Sequence, residues 1–172
     1  MRPDPGAEVL DVVDAANRVI GQATRAEIHA RGLRHRAVHM LVLNKAGHIY
    51  VQRRALTKDS QPGLWDTSAA GHVDHGEDWE AAARRELAEE LGLADVVLEA
   101  LAELPASADT GHEFVRVYRC EVSAEPRPDP HEIMDAGWWS PEALAAWMAR
   151  RPGDFTAAFH AVMRCHAGGD AT

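Results

Sequence analysis

The residues best suited to chemistry lie between Gly71 and Leu93, which read GHVDHGEDWEAAARRELAEELGL. A glycine-containing turn runs into a strong helix-forming segment over residues 78–91, and Gly92 stops it. At about 100° of rotation per residue, Glu86, Glu89 and Glu90 fall within roughly one 100° arc of that helix. Ala83, Leu87 and Leu91 form an apolar stripe beside them that can pack on a sheet. Carboxylates spaced i, i+3 and i+4 repel one another, so the face calls for a cation. A hard divalent ion, Mg²⁺ or Mn²⁺, takes oxygen ligands and commonly binds through a few carboxylates together with substrate phosphates. The spacing suits metal chemistry on a diphosphate; the alternative is a solvated acidic helix face.

The flanking positions favour the metal. Gly71, Glu77, Arg85, Glu86, Leu87, Glu89, Glu90, Gly92 and Leu93 fit the pattern G-x5-E-x7-R-E-U-x-E-E-x-G-U, with U aliphatic, and the stretch resembles the signature of the Nudix hydrolases. The resemblance implies that Glu86, Glu89 and Glu90 hold one or more divalent metals, Mg²⁺ or alternatively Mn²⁺, with the Gly71 carbonyl joining them. It also implies that Glu77 and Arg85 pair to clamp the loop onto the helix. Because Arg85 lies about two turns into the helix and Glu77 precedes it, the loop must fold back for them to meet.

A second resemblance covers the chain from the N-terminal hairpin to about Trp139. Residues 33–72, LRHRAVHMLVLNKAGHIYVQRRALTKDSQPGLWDTSAAGH, are similar to the matching region of isopentenyl-diphosphate isomerases and the Nudix hydrolases nearest to them. In those isomerases the histidines matching His35 and His72 bind a metal, Arg54 and Lys58 match diphosphate-contacting positions, and a glutamate near Glu113 helps move the proton. His29 lies one residue out of step with a further metal-binding histidine. The isomerase cysteine before the Gly-His pair is Ala70 here, which can neither donate nor accept a proton. The chain thus reads as an isomerase-like frame carrying hydrolase chemistry.

The implied reaction is attack of water on a phosphorus of a small phosphorylated substrate, a nucleoside diphosphate derivative or a similar metabolite. Glu89 or Glu90 is the first choice for the base, with Glu113 and Glu132 as candidates outside the motif. Two alternatives stay open: isomerisation of an allylic diphosphate, which Ala70 disfavours, and a catalytically silent ligand-binding module.

Composition bounds the partners. The formal charge of −9 argues against binding a nucleic-acid polymer, whereas a small anion needs only a local basic cluster. Arg31, Arg34, His35 and Arg36 form one such cluster and Arg53, Arg54 and Lys58 another. Cys120 and Cys165 suggest neither a disulfide framework nor a metal knuckle. With no leader-like N-terminus and no apolar run of about eighteen residues, a cytoplasmic protein free of the membrane is expected.

The elements that must position these residues follow an α/β order. Strands are predicted over 9–13 and 18–21 around a turn at 14–17, then a short helix capped by Thr24 and running to about Arg31. A hairpin follows, 38–43 and 48–53 around Asn44-Lys45-Ala46-Gly47. After the acidic helix come strands near 96–104, 113–122 and 137–139, with a proline-rich loop at 123–130. Ser140 caps a helix to about Arg150, and Asp154 is expected to cap the last, ending near Cys165. At 172 residues this reads as a single domain with flexible tails at about 1–7 and 167–172. A mixed sheet with helices on both sides is expected, and it is also the Nudix-type α/β/α sandwich that the resemblance implies. Exposed strands near the N-terminus could support a homodimer.

Overall fold

The computed structural model describes residues 4–169. The outermost parts of both expected tails, residues 1–3 and 170–172, lie outside the described residues. Next to these ends, Pro5–Ala7 form a 3-10 turn, and the last helix runs to Gly169, past its expected end near Cys165.

A seven-stranded mixed sheet carries the site. Its strands are β3 (His35–Leu43), β4 (Ile49–Arg54), β5 (Trp65–Asp66), β6 (Ala69–His72), β7 (Glu99–Leu104), β8 (Glu113–Glu121) and β9 (Ile133–Trp139). Strands β3 and β8 run parallel along their whole length, from His35 beside Glu113 to Leu43 beside Glu121. The β3–β4 hairpin pairs only at Leu43 and Ile49, and then its strands part. Strand β6 fills the other edge of β3, while β5 and β9 pair with β4. Ser68 bridges the split: its Oγ accepts from Val42 N–H at 2.8 Å and donates to the Tyr50 carbonyl at 2.5 Å.

Alternation along β3 sends Val38, Met40 and Val42 to one face and Ala37 and Leu41 to the other. The first face packs on α2 (Trp79–Leu91) through Ala83, Leu87 and Leu91, the stripe expected from the sequence. The second packs on α3 (Pro141–Arg150) and α4 (Ala157–Gly169) through Leu144, Phe159 and Val162. Helices cover both faces, so the architecture is the expected α/β/α sandwich. A separate hairpin, β1 (Val9–Val13) with β2 (Val19–Thr24), leads into α1 (Arg25–Arg31) and leaves Val9, Val19 and Ile20 exposed.

Local chemistry explains the helix ends. Asp78 accepts from Ala81 N–H at the start of α2, and Gly92 ends it in the left-handed conformation at φ 64°. Thr24 and Glu27 make a reciprocal capping box on α1. One expected cap is wrong. Asp154 sits in a 3-10 turn and accepts from Trp147 Nε1, whereas Thr156 accepts from Phe159 N–H and caps α4. No helix among the described residues is long and apolar enough to cross a membrane.

Candidate active site

Helix α2 and strand β6 meet at Gly71. A Cβ added there would lie 2.1–2.6 Å from the carboxyl atoms of Glu86, so glycine lets the strand approach that side chain without displacing it. Glu86 and Glu90 are buried between helix and sheet, whereas the side chain of Glu89 is 60% exposed on the rim. The arc expected from the sequence is therefore split into two buried carboxyls and one solvated one. Glu90 Oε2 accepts from Ala70 N–H at 3.1 Å and from Gln52 Nε2 at 3.2 Å, and Gln52 donates also to the Ser68 carbonyl.

Burial pushes Glu86 up to about 7, with the charges of Glu89 and Glu8 adding to the rise and Arg85 opposing it. Burial, then the charge of Glu86, raises Glu90 well above the usual carboxylate range. A hard divalent ion would favour the ionised form of both, and the donors are all oxygen, so the residues fit Mg²⁺ or Mn²⁺.

Arg85 is the hub of the loop. Its Nε and Nη2 donate to the two oxygens of Glu77, each at 2.9 Å; Nη2 also donates to the His72 carbonyl at 2.9 Å, and Nη1 to Glu86 at 2.7 Å. Glu77 accepts as well from Asp74 N–H at 3.1 Å. Burial works against the Glu77 carboxylate, but the bonds from Arg85 and Asp74 hold it below its ordinary range. The N-terminal hairpin props the same loop: His75 N–H donates to the Val9 carbonyl, and its ring meets Asp11 at 2.6 Å.

Beside this acidic patch, α1, β3 and β6 converge three imidazoles. His29, His35 and His72 each offer a nitrogen within 4.8 Å of the others. His35 Nδ1 lies 2.9 Å from the Leu33 carbonyl, which can only accept, so the proton sits on Nδ1 and Nε2 presents a lone pair. That Nε2 is buried with no hydrogen-bond partner among the described residues, and Glu113 Oε1 lies 4.0 Å from it. Burial is the main reason that His35 and His72 are both lowered to about 3, aided by neighbouring histidines and, at His72, by Arg25. Both rings stay neutral, as metal ligation requires. Burial and the charge of Asp66 push Glu113 up to about 8.

Residues 33–159 match the model of the NUDIX domain. The chain belongs to the Nudix hydrolase family. An uncharacterised Nudix hydrolase of Yersinia pestis is 36% identical over 139 residues, 81% of this chain and 76% of that protein. Isopentenyl-diphosphate Delta-isomerase of Nocardia farcinica is 36% identical over 153 residues, 86% of this chain and 87% of the isomerase. Among solved structures, DR0079 from Deinococcus radiodurans is similar with a TM-score of 0.74 at 32% identity, covering 83% of this chain and 90% of that one. The Nudix hydrolases act on pyrophosphate bonds and generally use a divalent metal.

Within this Nudix domain the motif residues Gly71, Glu77, Arg85, Glu86 and Glu90 come together, and His29 joins His35 and His72 despite its shifted spacing. Lys58 pairs with Glu132, and Arg54 donates to the Ser60 carbonyl at 2.9 and 3.1 Å, so both expected diphosphate contacts are engaged by partners in the chain. The other basic cluster does not assemble. Arg31 and Arg34 are exposed, while Arg36 turns to Asn17 and the Trp79 ring. Gln52, Glu8 and Asp66 also reach the site and were not anticipated. Gln52 carried a signal, an amide inside the apolar run IYVQRR; Glu8, 3.5 Å from His72 Nδ1, carried none.

Proposed function

We propose that this Nudix domain uses Mg²⁺ or Mn²⁺ to hydrolyse the diphosphate linkage of a small phosphorylated metabolite, such as a nucleoside diphosphate derivative. The reading rests on a pair of buried carboxyls, Glu86 packed against Gly71 and Glu90 held by Ala70 N–H, both raised by burial. Glu86, Glu89, Glu90 and the Gly71 carbonyl would hold the ion. When bound, it neutralises charge on the diphosphate oxygens and acidifies a coordinated water.

The chain's own residues divide the remaining work. Ala70 N–H and Gln52 occupy Glu90 Oε2 and leave Oε1 for the site. Glu89, solvated on the rim, is the group suited to accept the proton of the attacking water, while burial raises Glu113 above the usual carboxylate range. Arg54 and Lys58 would take the diphosphate oxygens. Water then attacks phosphorus, a P–O bond breaks, and a monophosphate leaves a second phosphorylated fragment. His29, His35 and His72 would hold a further cation next to Glu113.

That histidine cluster favours one second reading, isomerisation of an allylic diphosphate. It stands against the methyl group of Ala70, which offers no proton on the opposite side of the double bond. Turnover in ¹⁸O-labelled water separates the two. Hydrolysis at phosphorus places one label in a phosphate product and is lost on Glu89→Gln with circular dichroism unchanged. A double-bond isomer formed with no phosphate released would overturn the hydrolase reading.

A further inference from the structure

Beneath Arg54 lies a carboxylate that the hydrolytic scheme does not use. Asp66 on β5 is 4% exposed, and its Oδ1 accepts from Thr67 N–H at 2.8 Å and from Thr156 Oγ1 at 3.1 Å. Its Oδ2 stands 3.5 Å from Arg54 Nη1. Thr156 caps α4, and its own N–H donates to the Trp65 carbonyl, so the start of the last helix is bolted to β5 at both Trp65 and Asp66. His39, buried on β3 with Nδ1 3.9 Å from Oδ1, closes the remaining side. A buried carboxylate held by fixed donors on one oxygen can turn only its other oxygen outward, and that oxygen faces the guanidinium.

We propose that Asp66 is a positioning residue that aims Arg54 at the substrate diphosphate, and that Thr156 holds Asp66 in place, which makes the C-terminal helix part of the substrate-binding apparatus. This rests on the reading of Arg54 as a diphosphate contact. Loosening an arginine held in this way misplaces it without removing its charge, so the loss falls on diphosphate affinity more than on the chemical step.

The test is a double-mutant cycle on Arg54→Gln and Asp66→Asn, read by calorimetric binding of magnesium methylenediphosphonate, a diphosphate that water cannot cleave, and by KM and kcat on a turned-over substrate. Asp66→Asn is expected to weaken binding and raise KM by roughly tenfold with kcat within about twofold, and to add nothing in the Arg54→Gln background. Should Asp66→Asn not fold, Asp66→Thr keeps a β-favouring side chain and an acceptor for Thr156, and the same pattern is expected of it. A lower melting temperature with unchanged affinity, or an effect of equal size in both backgrounds, overturns the proposal. If Arg54→Gln itself leaves affinity untouched, the assignment of Arg54 fails and the proposal falls with it. Metal-dependent hydrolysis of a diphosphate linkage in that case still upholds the hydrolase reading.

Discussion

Gly71 and Glu86 cannot be changed independently, because a methyl group on the strand would overlap the carboxylate it faces. Gly71→Ala is therefore expected to push Glu86 out of position and weaken Mn²⁺ binding by roughly 10- to 100-fold in isothermal titration, the scale typical of disturbed ligand support. Titration of the buried groups gives a second expectation. Glu86 and Glu113 ionise near 4.5 when unfolded and near about 7 and about 8 when folded, so the folded state holds their protons longer. Their contribution to stability is complete below pH 4.5 and is lost as pH rises through the folded values. His35 and His72 act oppositely, but only below their ordinary 6.5. Without metal, the melting temperature should fall between pH 6.5 and 8, and Mg²⁺, which binds the ionised carboxylates, should flatten that slope. The motif residues were legible in the sequence because their spacing is local to one loop and one helix. Glu8 and Asp66 were not, and Gln52 only as an amide in a strand, since each reaches the site from elsewhere in the chain through a contact that no local spacing encodes.

Caps and hairpins show the same division at the level of elements. Thr24, Ser140 and the glycine after α2 announce their helices because a cap acts within a few residues. Strands β5 and β6 escaped notice: they have two and four residues, and WDTSAAGH lacks the apolar alternation that marks a longer strand. Their existence depends on partners far along the chain, Met40 beside Ala69 and Gln52 beside Asp66. The parallel register of β3 on β8 is hidden for the same reason. Asp154 was the wrong cap because the helix starts two residues later than its sequence suggests, after Phe155 has turned into the core. Thr156→Ala should cost about 1 kcal/mol in urea denaturation, the usual worth of a cap, and Asp154→Ala clearly less.

The whole molecule brings together two groups of ligand-type side chains of different character, an oxygen-rich one under β6 and a nitrogen-rich one where α1, β3 and β6 converge, and each is proposed to hold a cation. Metal content measured by mass spectrometry after Mn²⁺ loading should fall by about one equivalent in the double variant His35→Gln/His72→Gln, while Mg²⁺-dependent turnover falls less than it does for Glu90→Gln. The charge of −9 does not draw in an anionic substrate at long range, so its capture is proposed to rest on local basic groups such as Arg54 and Lys58. The most direct test of the account is phosphorus NMR of the wild-type protein and Glu90→Gln with a panel of nucleoside di- and triphosphates, dinucleoside polyphosphates, nucleotide sugars and prenyl diphosphates, with Mg²⁺ or with chelator. At least one diphosphate linkage is expected to be cleaved by the wild type with Mg²⁺ only, at a rate lowered by at least about 100-fold in Glu90→Gln. No metal-dependent cleavage of any panel member, or equal cleavage by both proteins, would contradict it.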